Sequence, residues 1–270
     1  MFCNFIDTVV LFLAFSKTAF LTQLEFRATY AVRMLGKVIQ FGSGFAIIAI
    51  LLNRFKAISD WTTYEVLFLY SMNILCYSFG ATFAMPFAEI SGRIFRGLID
   101  SILTKPVNPM ALYACQNVSA GYTSNYVIGI GIMALSLSKL GLSLTFPLVL
   151  HFILSVIGGT LIHAAGLIAS GVPSFWLVKA NAFTDILYYG MTNFVDYPIS
   201  IYSGFIQVLL TWVLPYAFIN FYPAQVFLGK SDSLFLPVIS YLTPLVGAAV
   251  FFLAYQFWKM GLRAYQSTGS

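Results

Sequence analysis

Long stretches without an ionised side chain constrain this chain more than any other feature. A charge at the centre of a bilayer costs about 2.5 to 3.5 kcal/mol on insertion scales, and about 20 apolar residues cross the hydrocarbon. Because only 9% of the 270 residues are charged and 60% are hydrophobic, no water-soluble fold can hide the apolar surface. The sequence predicts an all-α polytopic membrane protein. Its uncharged intervals lie between Glu65 and Glu89, Lys105 and Lys139, Lys139 and Lys179, Asp196 and Lys230, and Asp232 and Lys259.

These intervals predict five spans, near residues 64–84, 110–136, 146–170, 199–221 and 237–258, and a sixth span runs from about 35 to 53. We therefore expect one transmembrane domain over residues 1–270. In it, residues 35–84 hold spans 1 and 2, residues 110–170 hold spans 3 and 4, and residues 198–258 hold spans 5 and 6. Residues 85–109 form a cytoplasmic loop, and residues 259–270 form a cytoplasmic tail.

Two segments are predicted to lie in the membrane interface rather than to cross it. Residues 1–34 alternate apolar turns with Lys17, Glu25, Arg27 and Arg33, as an amphipathic helix does. Residues 171–197 carry Lys179 and Asp185 in an aromatic background. Residues 5–33 or 174–194 as further spans remain the alternative.

The basic residues predict the orientation. With the N-terminus in the cytoplasm, ten lysines and arginines lie inside and four outside, which favours N-in, C-in topology and an even number of spans. The net charge of +5 does not indicate nucleic acid, because the basic residues are scattered singly and form no stripe. The three cysteines are too far apart in sequence for a zinc or disulfide pattern.

The loop from Met85 to Pro109 is the largest polar interruption. Charged residues recur every three or four positions on one predicted helix face, and apolar residues occupy the other. An interfacial helix and a docking element for a soluble partner fit this pattern equally well. The charged face contains Glu89, Arg93, Arg96 and Asp100, and the apolar face contains Ile90, Ile94, Leu98, Ile102 and Leu103.

Polar residues inside the predicted spans are few. Asn73, Asn125 and Gln207 are candidate pathway-lining residues, and Pro215 predicts a kink or a re-entrant break in the fifth span. His151 and His163 are expected to pack or to form hydrogen bonds, because a separation of twelve positions is too large for a pair of metal ligands. Ser155, Gly159 and His163 recur at four-residue spacing, which predicts a helix-packing seam.

Missing motifs narrow the function. The chain has no G-x-x-x-x-G-K-[ST] phosphate loop, so it is expected to bind no ATP or other cofactor itself. It also lacks G-x-S-x-G, H-E-x-x-H and paired aspartates, which argues against an enzyme. No acidic residue falls inside a predicted span, which disfavours ion coupling. A membrane-embedded enzyme or scaffold and an ion-coupled secondary transporter remain the alternatives.

Several short motifs resemble a known family. The segment GLIDSILTKP at residues 97–106 is similar to the sequence that follows the second span in six-span bacterial permeases of the type-2 ATP-binding-cassette family. Further pieces occur in the same order along the chain, although Asp60 stands where a glycine is expected. They are LEFRATY near Arg27, ISDWTTYEVLFLY with Trp61 and Glu65, YP-x-x-IY from Tyr197, LP at Leu214 and YPA from Tyr222.

The resemblance implies a permease subunit in the bacterial cytoplasmic (inner) membrane. The loop after the second span would be a coupling helix that docks on a separate ATPase subunit, which carries ATP and Mg²⁺. A second permease, either the same chain or a sister chain, would complete the transporter. We expect export of an amphipathic substrate such as a peptide, a drug or a lipid-like molecule, while the 17% aromatic content also suits membrane-interface belts. The implied coupling residues are Glu89, Arg93, Arg96, Gly97, Asp100, Lys105 and Pro106.

Overall fold

The computed structural model describes residues 10, 13–18, 21, 22, 25, 27–55, 57, 58, 60–143, 145–177, 184–232 and 234–266. Within these ranges the chain is almost wholly helical, and its one sheet is a pair of two-residue strands. The predicted all-α polytopic architecture is therefore confirmed.

The α-helices are α1 (Arg27–Phe55), α2 (Thr63–Ala88), α3 (Ser91–Phe95), α4 (Asp100–Leu103), α5 (Pro109–Gln116), α6 (Thr123–Leu140), α7 (Phe146–Gly171), α8 (Gly204–Val208), α9 (Phe221–Leu228) and α10 (Thr243–Ala264). Strands β1 (Ala57–Ile58) and β2 (Trp61–Thr62) pair antiparallel. Residues Thr184–Gly190 and Leu209–Val213 are π-helical. Short 3₁₀ helices cover Ala120–Tyr122, Val172–Phe175, Asn193–Asp196, Ile199–Ile201, Tyr216–Phe218 and Pro237–Tyr241.

Four described helical stretches are long and apolar enough to cross a bilayer. They are Arg27–Ile48, Thr63–Phe95, Phe146–Phe175 and Thr243–Ala264. These stretches overlap the predicted spans near 35–53, 64–84, 146–170 and 237–258. A fifth crossing is possible if a bent pair of helices, Gly204–Val213 and Tyr216–Leu228, counts as one span.

The predicted span at 110–136 is wrong as a single helix. The structure divides it into α5 and α6, with a break from Asn117 to Tyr122. The Asn117 amide donates to the carbonyl of Tyr113 at 2.8 Å and satisfies a group that the end of α5 leaves free. Asparagine, serine and glycine in this short run favour such local turns over continued helix. The remaining helix, α6, has 18 residues, about 27 Å at the usual helical rise.

The predicted fifth span, 199–221, is also not a straight helix. The two halves of the bent pair meet at 81° around Leu214 and Pro215. Proline has no N–H to donate, so the helical ladder ends where Pro215 stands. Beyond it, Tyr216 is 4% exposed and its ring packs edge-on against Tyr188. The bend is too sharp for a simple kink and breaks the predicted span into two helical segments that lie nearly at right angles.

The segment predicted to lie in the interface, 171–197, is inserted among the helices over its described residues 184–197. Thr184 contacts Ser170 at the end of α7, and Tyr188 is 1% exposed and bonds to His163. The Val195 carbonyl accepts from Asn220 at the far end of the segment. The segment thus runs antiparallel to α7, and the interfacial prediction is wrong for this part. Buried polar partners stabilise its position; Lys179 lies outside the described residues.

The predicted interfacial helix at 1–34 falls partly outside the described residues. Residues 13–18 are helical, and α1 begins at Arg27 and passes the predicted boundary at residue 34 without a break. Residues 27–34 therefore belong to the same helix as the predicted first span.

Helix α2 lies at the centre of the bundle, and most of its residues are buried. The Tyr70 hydroxyl donates to the Phe41 carbonyl of α1 at 2.9 Å, and Gly44 of α1 lies against the Tyr70 ring. Tyr77, further along α2, packs on the Phe41 ring. Helix α1 is antiparallel to α2. Helix α6 is also antiparallel to α2, because Ser71 pairs with Met133 while Ser78, later in α2, pairs with Tyr126, earlier in α6.

Helix α7 runs parallel to α2, and α10 runs parallel to α7. The predicted seam is confirmed: Ser155 and His163 are buried, and Gly159 lies against Cys76 of α2. Gly158 and Gly247 of α10 meet backbone to backbone, an approach that larger residues would block. Successive long segments therefore alternate in direction along the chain.

A hairpin closes the end of the bundle where α2 begins. Asp60, at the position where the resemblance expects glycine, has φ of 65°, the left-handed region that favours glycine. The Trp61 indole donates to Asp232 at 2.8 Å, and Lys230 forms a 2.9 Å ion pair with Glu65. These contacts join the hairpin to the chain between α9 and α10.

Candidate coupling loop and buried polar cluster

The loop after α2 is two short helices, not the single amphipathic helix that the charge pattern predicts. Gly97 has φ of 67°, a left-handed conformation that ends α3 and separates it from α4. The charged residues on either side of Gly97 therefore do not share one helix face. The loop keeps the predicted location, directly after the second long helix.

The predicted coupling residues divide into exposed and half-buried groups. Arg93 is half-buried, with its guanidinium 5.5 Å from the centre of the Tyr113 ring. Asp100 is half-buried beside Tyr265, and burial together with this carboxylate raises the pKa of the Tyr265 hydroxyl. Gly97 is partly buried. The exposed members are Glu89, Arg96, Lys105 and Pro106.

The apolar face of the loop differs from the prediction. Ile90 and Ile102 are buried and anchor the loop, as expected, and Ile94 is partly buried. Leu98 and Leu103 were expected on the same face but are 46% and 41% exposed, because the turn at Gly97 rotates them outward.

Phe95, which the sequence pattern did not single out, is 75% exposed. Nothing in the sequence around Phe95, which lies between Ile94 and Arg96, indicates that its side chain is exposed. We call Phe95, Leu98 and Leu103 the exposed apolar patch of the loop. Arg96 and Lys105 are exposed on the same loop, so a large apolar group and cations are both accessible to a partner.

Aromatic contacts connect this loop to the long helices. The Tyr113 hydroxyl of α5 donates to the Pro86 carbonyl of α2 at 2.8 Å. The Tyr113 ring packs on Phe87 and Trp258, and Trp258 belongs to α10. Asn108 caps α5 with its side-chain oxygen and donates to the Tyr255 hydroxyl of α10 at 3.1 Å. A displacement of the loop would therefore be transmitted to α2, α5 and α10 together.

A second candidate site is a buried polar cluster in the middle of the bundle. Asn73 of α2 is 8% exposed, and its Nδ2 donates to the Asp196 carboxylate at 2.8 Å. The Asn73 Oδ1 lies 3.0 Å from His163 Nε2, so this nitrogen carries the proton. The His163 Nδ1 then accepts from the Tyr188 hydroxyl at 2.9 Å. The prediction of a hydrogen-bonding His163 is confirmed.

No acidic residue falls inside a predicted span, yet the Asp196 carboxylate reaches the interior of the bundle from outside these spans. The residue lies in the 3₁₀ turn before Tyr197, outside every predicted span, but its side chain reaches Asn73. Asn73 is ten residues beyond Thr63, about 15 Å along α2. Asp196 reaches this depth because residues 184–197 run inward among the helices. The lengths of the uncharged intervals in the sequence do not reveal this path.

One cavity adjoins this cluster, and a second cavity shares a lining residue with the first. A small one of about 80 Å³ is lined by Asn73, His163, Tyr188 and Asp196 among others. A larger one of about 600 Å³ lies between α1, the end of α2 and the turn before α6. Gln40 lines both.

The other predicted pathway-lining residues do not join this cluster. Gln207 donates to the Tyr202 carbonyl of its own segment at 2.9 Å. Pro215 lines a separate apolar cavity of about 470 Å³ with Gly166 and Phe257. Asn125 is fully buried, and neither atom of its amide has a hydrogen-bond partner in the described part of the chain.

The described residues contain no group of three or more histidine, cysteine or acidic side chains arranged to hold a metal ion. His151 is not in the cluster and packs against Phe227 and Tyr241.

Most of the chain matches the model of a known protein family. Residues 37–269 match the model of a family described as ABC-2 family transporter protein. The match includes α2, the loop and the polar cluster. Among curated proteins, none matches the chain.

Proposed function

The chain belongs to the ABC-2 family of transporter proteins and is a membrane-embedded transport subunit, and we propose that it is the permease of an ATP-driven exporter. A separate ATPase subunit binds ATP and Mg²⁺ and supplies the energy. The exported substrate is amphipathic. The chain itself catalyses no reaction.

The exposed apolar patch of the loop is the observation that carries the proposal. Phe95 is 75% exposed on a segment in which Ile90, Ile99 and Ile102 are buried, an arrangement typical of a surface that a partner covers. The ATPase docks on this patch, and Arg96 and Lys105 contribute charged contacts at its edge. Glu89, Arg93, Gly97, Asp100 and Pro106 shape or support the same surface. ATP-driven closure then moves the loop, and Tyr113 transmits the movement to α2 and α10.

Orientation and span number form part of the proposal. Helices α1, α2, α6, α7 and α10, together with the segment from 184 into the bent pair, provide six crossings. Their alternating directions place both ends of the membrane region and the loop at one end of the bundle. The ten-to-four distribution of basic residues favours the cytoplasmic side for that end, and the membrane is the bacterial inner membrane.

A second permease subunit, identical or a sister chain, packs against α1. Hardly any residue of the apolar window of α1 is buried inside this chain. Val32, Leu35 and Ile39 are each at least 60% exposed, so lipid or a partner must cover this helix.

A secondary transporter driven by protons is the second candidate function, and Asp196 favours it. Ionisable residues at depth in membrane bundles commonly lie on proton or ion pathways, and Asp196 connects through Asn73 to His163. The family match favours the ATP-driven mechanism.

Copurification and inhibitor profiles separate the two functions. We expect the tagged chain to copurify with an ATPase that carries a phosphate loop, and transport in inside-out vesicles to be blocked by vanadate. Transport that ignores vanadate and stops with a protonophore, in a preparation without an ATPase, would establish the secondary transporter instead.

A further inference from the structure

Two loops are tied together at the end of the bundle that lies away from the coupling loop, residues 85–109. One is the hairpin of β1 and β2 together with the first turn of α2, and the other is the stretch of residues 229–232 that follows α9. We call the contacts between them the clasp. Because α2 has 26 residues, about 39 Å at the usual helical rise, the clasp and the coupling loop lie at opposite ends of the bundle.

Lys230 lies at the centre of the clasp. Its ammonium is 2.9 Å from the Glu65 carboxylate, donates to the Asp60 carbonyl at 2.6 Å and lies 4.7 Å from the centre of the Trp61 ring. The Trp61 indole in turn donates to Asp232 at 2.8 Å. An ammonium can donate three hydrogen bonds, so one side chain holds several groups of the opposite loop at once. Loss of this one cation would therefore free much of the clasp.

The ion pair in the clasp can separate without leaving a buried charge unpaired. The Glu65 oxygen that contacts Lys230 also accepts from the backbone N–H of Thr62 at 2.7 Å, in the first turn of α2, where negative charge is stabilised. The side chains of Lys230 and Glu65 are 20% and 13% exposed, so water reaches both charges. Ion pairs that water reaches contribute little net free energy.

The backbone after α9 permits such a separation, whereas the hairpin is fixed. Gly229 ends α9 with φ of 60°, and a side chain at this position would meet nothing within 4 Å. Trp61 is fully buried, and its ring packs on Phe221. Residues 229–232 are therefore the part of the clasp that can move. The buried indole of Trp61 loses its acceptor, Asp232, when they move, and this cost favours the closed clasp at rest.

From these contacts we propose that the clasp is a gate, closed at rest and opened by the ATPase. The inference rests on the proposed transport function, since export requires the end of the bundle away from the ATPase to open. The cavity of about 600 Å³ lies at the other end, beside Met85, Pro86 and Glu89. The bundle is thus open next to the coupling loop and tied at the clasp. Helix α2 connects the two, because Pro86 lies near one of its ends and Glu65 near the other.

Pulsed electron paramagnetic resonance between two spin labels measures the opening. The labels are attached to Tyr64→Cys and Ser231→Cys, exposed positions on the two sides of the clasp, in the full chain copurified with its ATPase. Labelling of the wild-type chain, with its three native cysteines, is the blank. When vanadate traps the ATPase with ATP and Mg²⁺, we expect the distance to lengthen by more than about 5 Å, one helical turn. An unchanged distance in the trapped complex would overturn the gate and leave a static clasp.

Lys230→Gln tests the cation itself. Without nucleotide, we expect the label distance in this variant to shift toward that of the trapped complex, and Lys230→Arg should keep the wild-type distance. Lys139→Gln is the matched control, because Lys139 is an exposed lysine in the last turn of α6, at the same end of the bundle as the clasp. Equal distances in wild type, Lys230→Gln and Lys139→Gln would overturn the role of Lys230.

The trapped wild-type complex keeps the gate testable if Lys230→Gln does not fold. Copurification of the ATPase is measured before labelling, so the two proposals fail in different ways. A chain that brings down no ATPase would contradict the proposed function. A clasp that stays closed in a complex with trapped ATPase would contradict only the gate.

Discussion

The Nδ2 of Asn73 donates a 2.8 Å hydrogen bond to the carboxylate of Asp196, a residue 123 positions later in the chain. The contact ties the middle of α2 to the segment between α7 and α8. Through the other end of the same amide, it also fixes the imidazole of His163. One asparagine thus holds three separate parts of the bundle in position.

Asn73→Leu should lower the stability of the bundle. The substitution removes the hydrogen-bond partner of the Asp196 carboxylate and of the His163 Nε2 inside the bundle, and a buried polar group left unpaired costs about 1 to 3 kcal/mol. Asn125→Leu is the matched control, since Asn125 is equally buried but its amide has no partner in the described part of the chain; we expect it to be neutral or stabilising. Thermal unfolding in detergent compares the two. Similar melting temperatures for both variants would contradict the structural role of Asn73.

Asp196→Asn separates the two candidate functions. In an ATP-driven permease the carboxylate serves as a hydrogen-bond acceptor, and an amide of the same shape can still accept from Asn73. We therefore expect vanadate-sensitive transport within about threefold of wild type. A proton-coupled carrier would lose coupling when its titrating group is removed. A transport rate that collapses in Asp196→Asn, with normal folding and ATPase binding, would contradict the ATP-driven mechanism.

Phe95→Ala should weaken the docking of the ATPase. Large aromatic side chains in interfaces often contribute 2 kcal/mol or more, so the recovery of ATPase with the tagged chain should fall by at least tenfold. Phe146→Ala is the control, because Phe146 is 80% exposed at the start of α7, the end of that helix that lies away from the loop. The ratio of ATPase to permease after purification is the measurement. A reduced ratio in both variants, or in neither, would remove Phe95 from the docking surface.

Charge at the loop should act more weakly than Phe95. Arg96 is exposed, and Arg96→Glu is expected to reduce ATPase recovery several-fold while the chain still inserts. The effect should grow at low ionic strength, because exposed charges are screened by salt. Lys139→Glu is the matched control. Arg93→Glu is expected also to lower stability, since Arg93 loses its contact with the Tyr113 ring.

Gly97→Ala should disturb the loop through its backbone. An alanine at φ of 67° costs about 1 to 2 kcal/mol, and asparagine tolerates this region better. We expect reduced stimulation of the ATPase in Gly97→Ala and a smaller reduction in Gly97→Asn. A larger reduction of ATPase stimulation in Gly97→Asn than in Gly97→Ala would contradict a requirement for the left-handed conformation at this position.

Gly158→Ala should weaken the contact between α7 and α10. A methyl group there would meet the carbonyl of Thr243, and such overpacking costs about 1 to 3 kcal/mol. Gly131 of α6 has open space around it, so Gly131→Ala should be neutral or slightly stabilising. Melting temperatures in detergent distinguish the two variants. Equal melting temperatures for Gly158→Ala and Gly131→Ala would contradict a need for glycine at the contact between α7 and α10.

Most of the helices that cross the membrane could be predicted, because the hydrocarbon excludes charged side chains from every such segment. Runs such as 146–170 and 237–258 need no tertiary information, since any charge would be expelled from them. The family-like order of short motifs, from GLIDSILTKP to YPA, likewise lies in the chain itself. The left-handed turn at Asp60 could also be expected from the sequence, because the family that the chain resembles has a glycine at this position.

The sequence alone determined that this chain is a helical membrane protein with a polar loop after its second long helix. Only the tertiary structure decided that Gly97 divides that loop and exposes Phe95, that the fifth span breaks at nearly a right angle around Pro215, and that Asp196 reaches Asn73. Insertion depends on the apolarity of each segment by itself, whereas these three features depend on which distant groups satisfy a backbone or a carboxylate once the helices have packed.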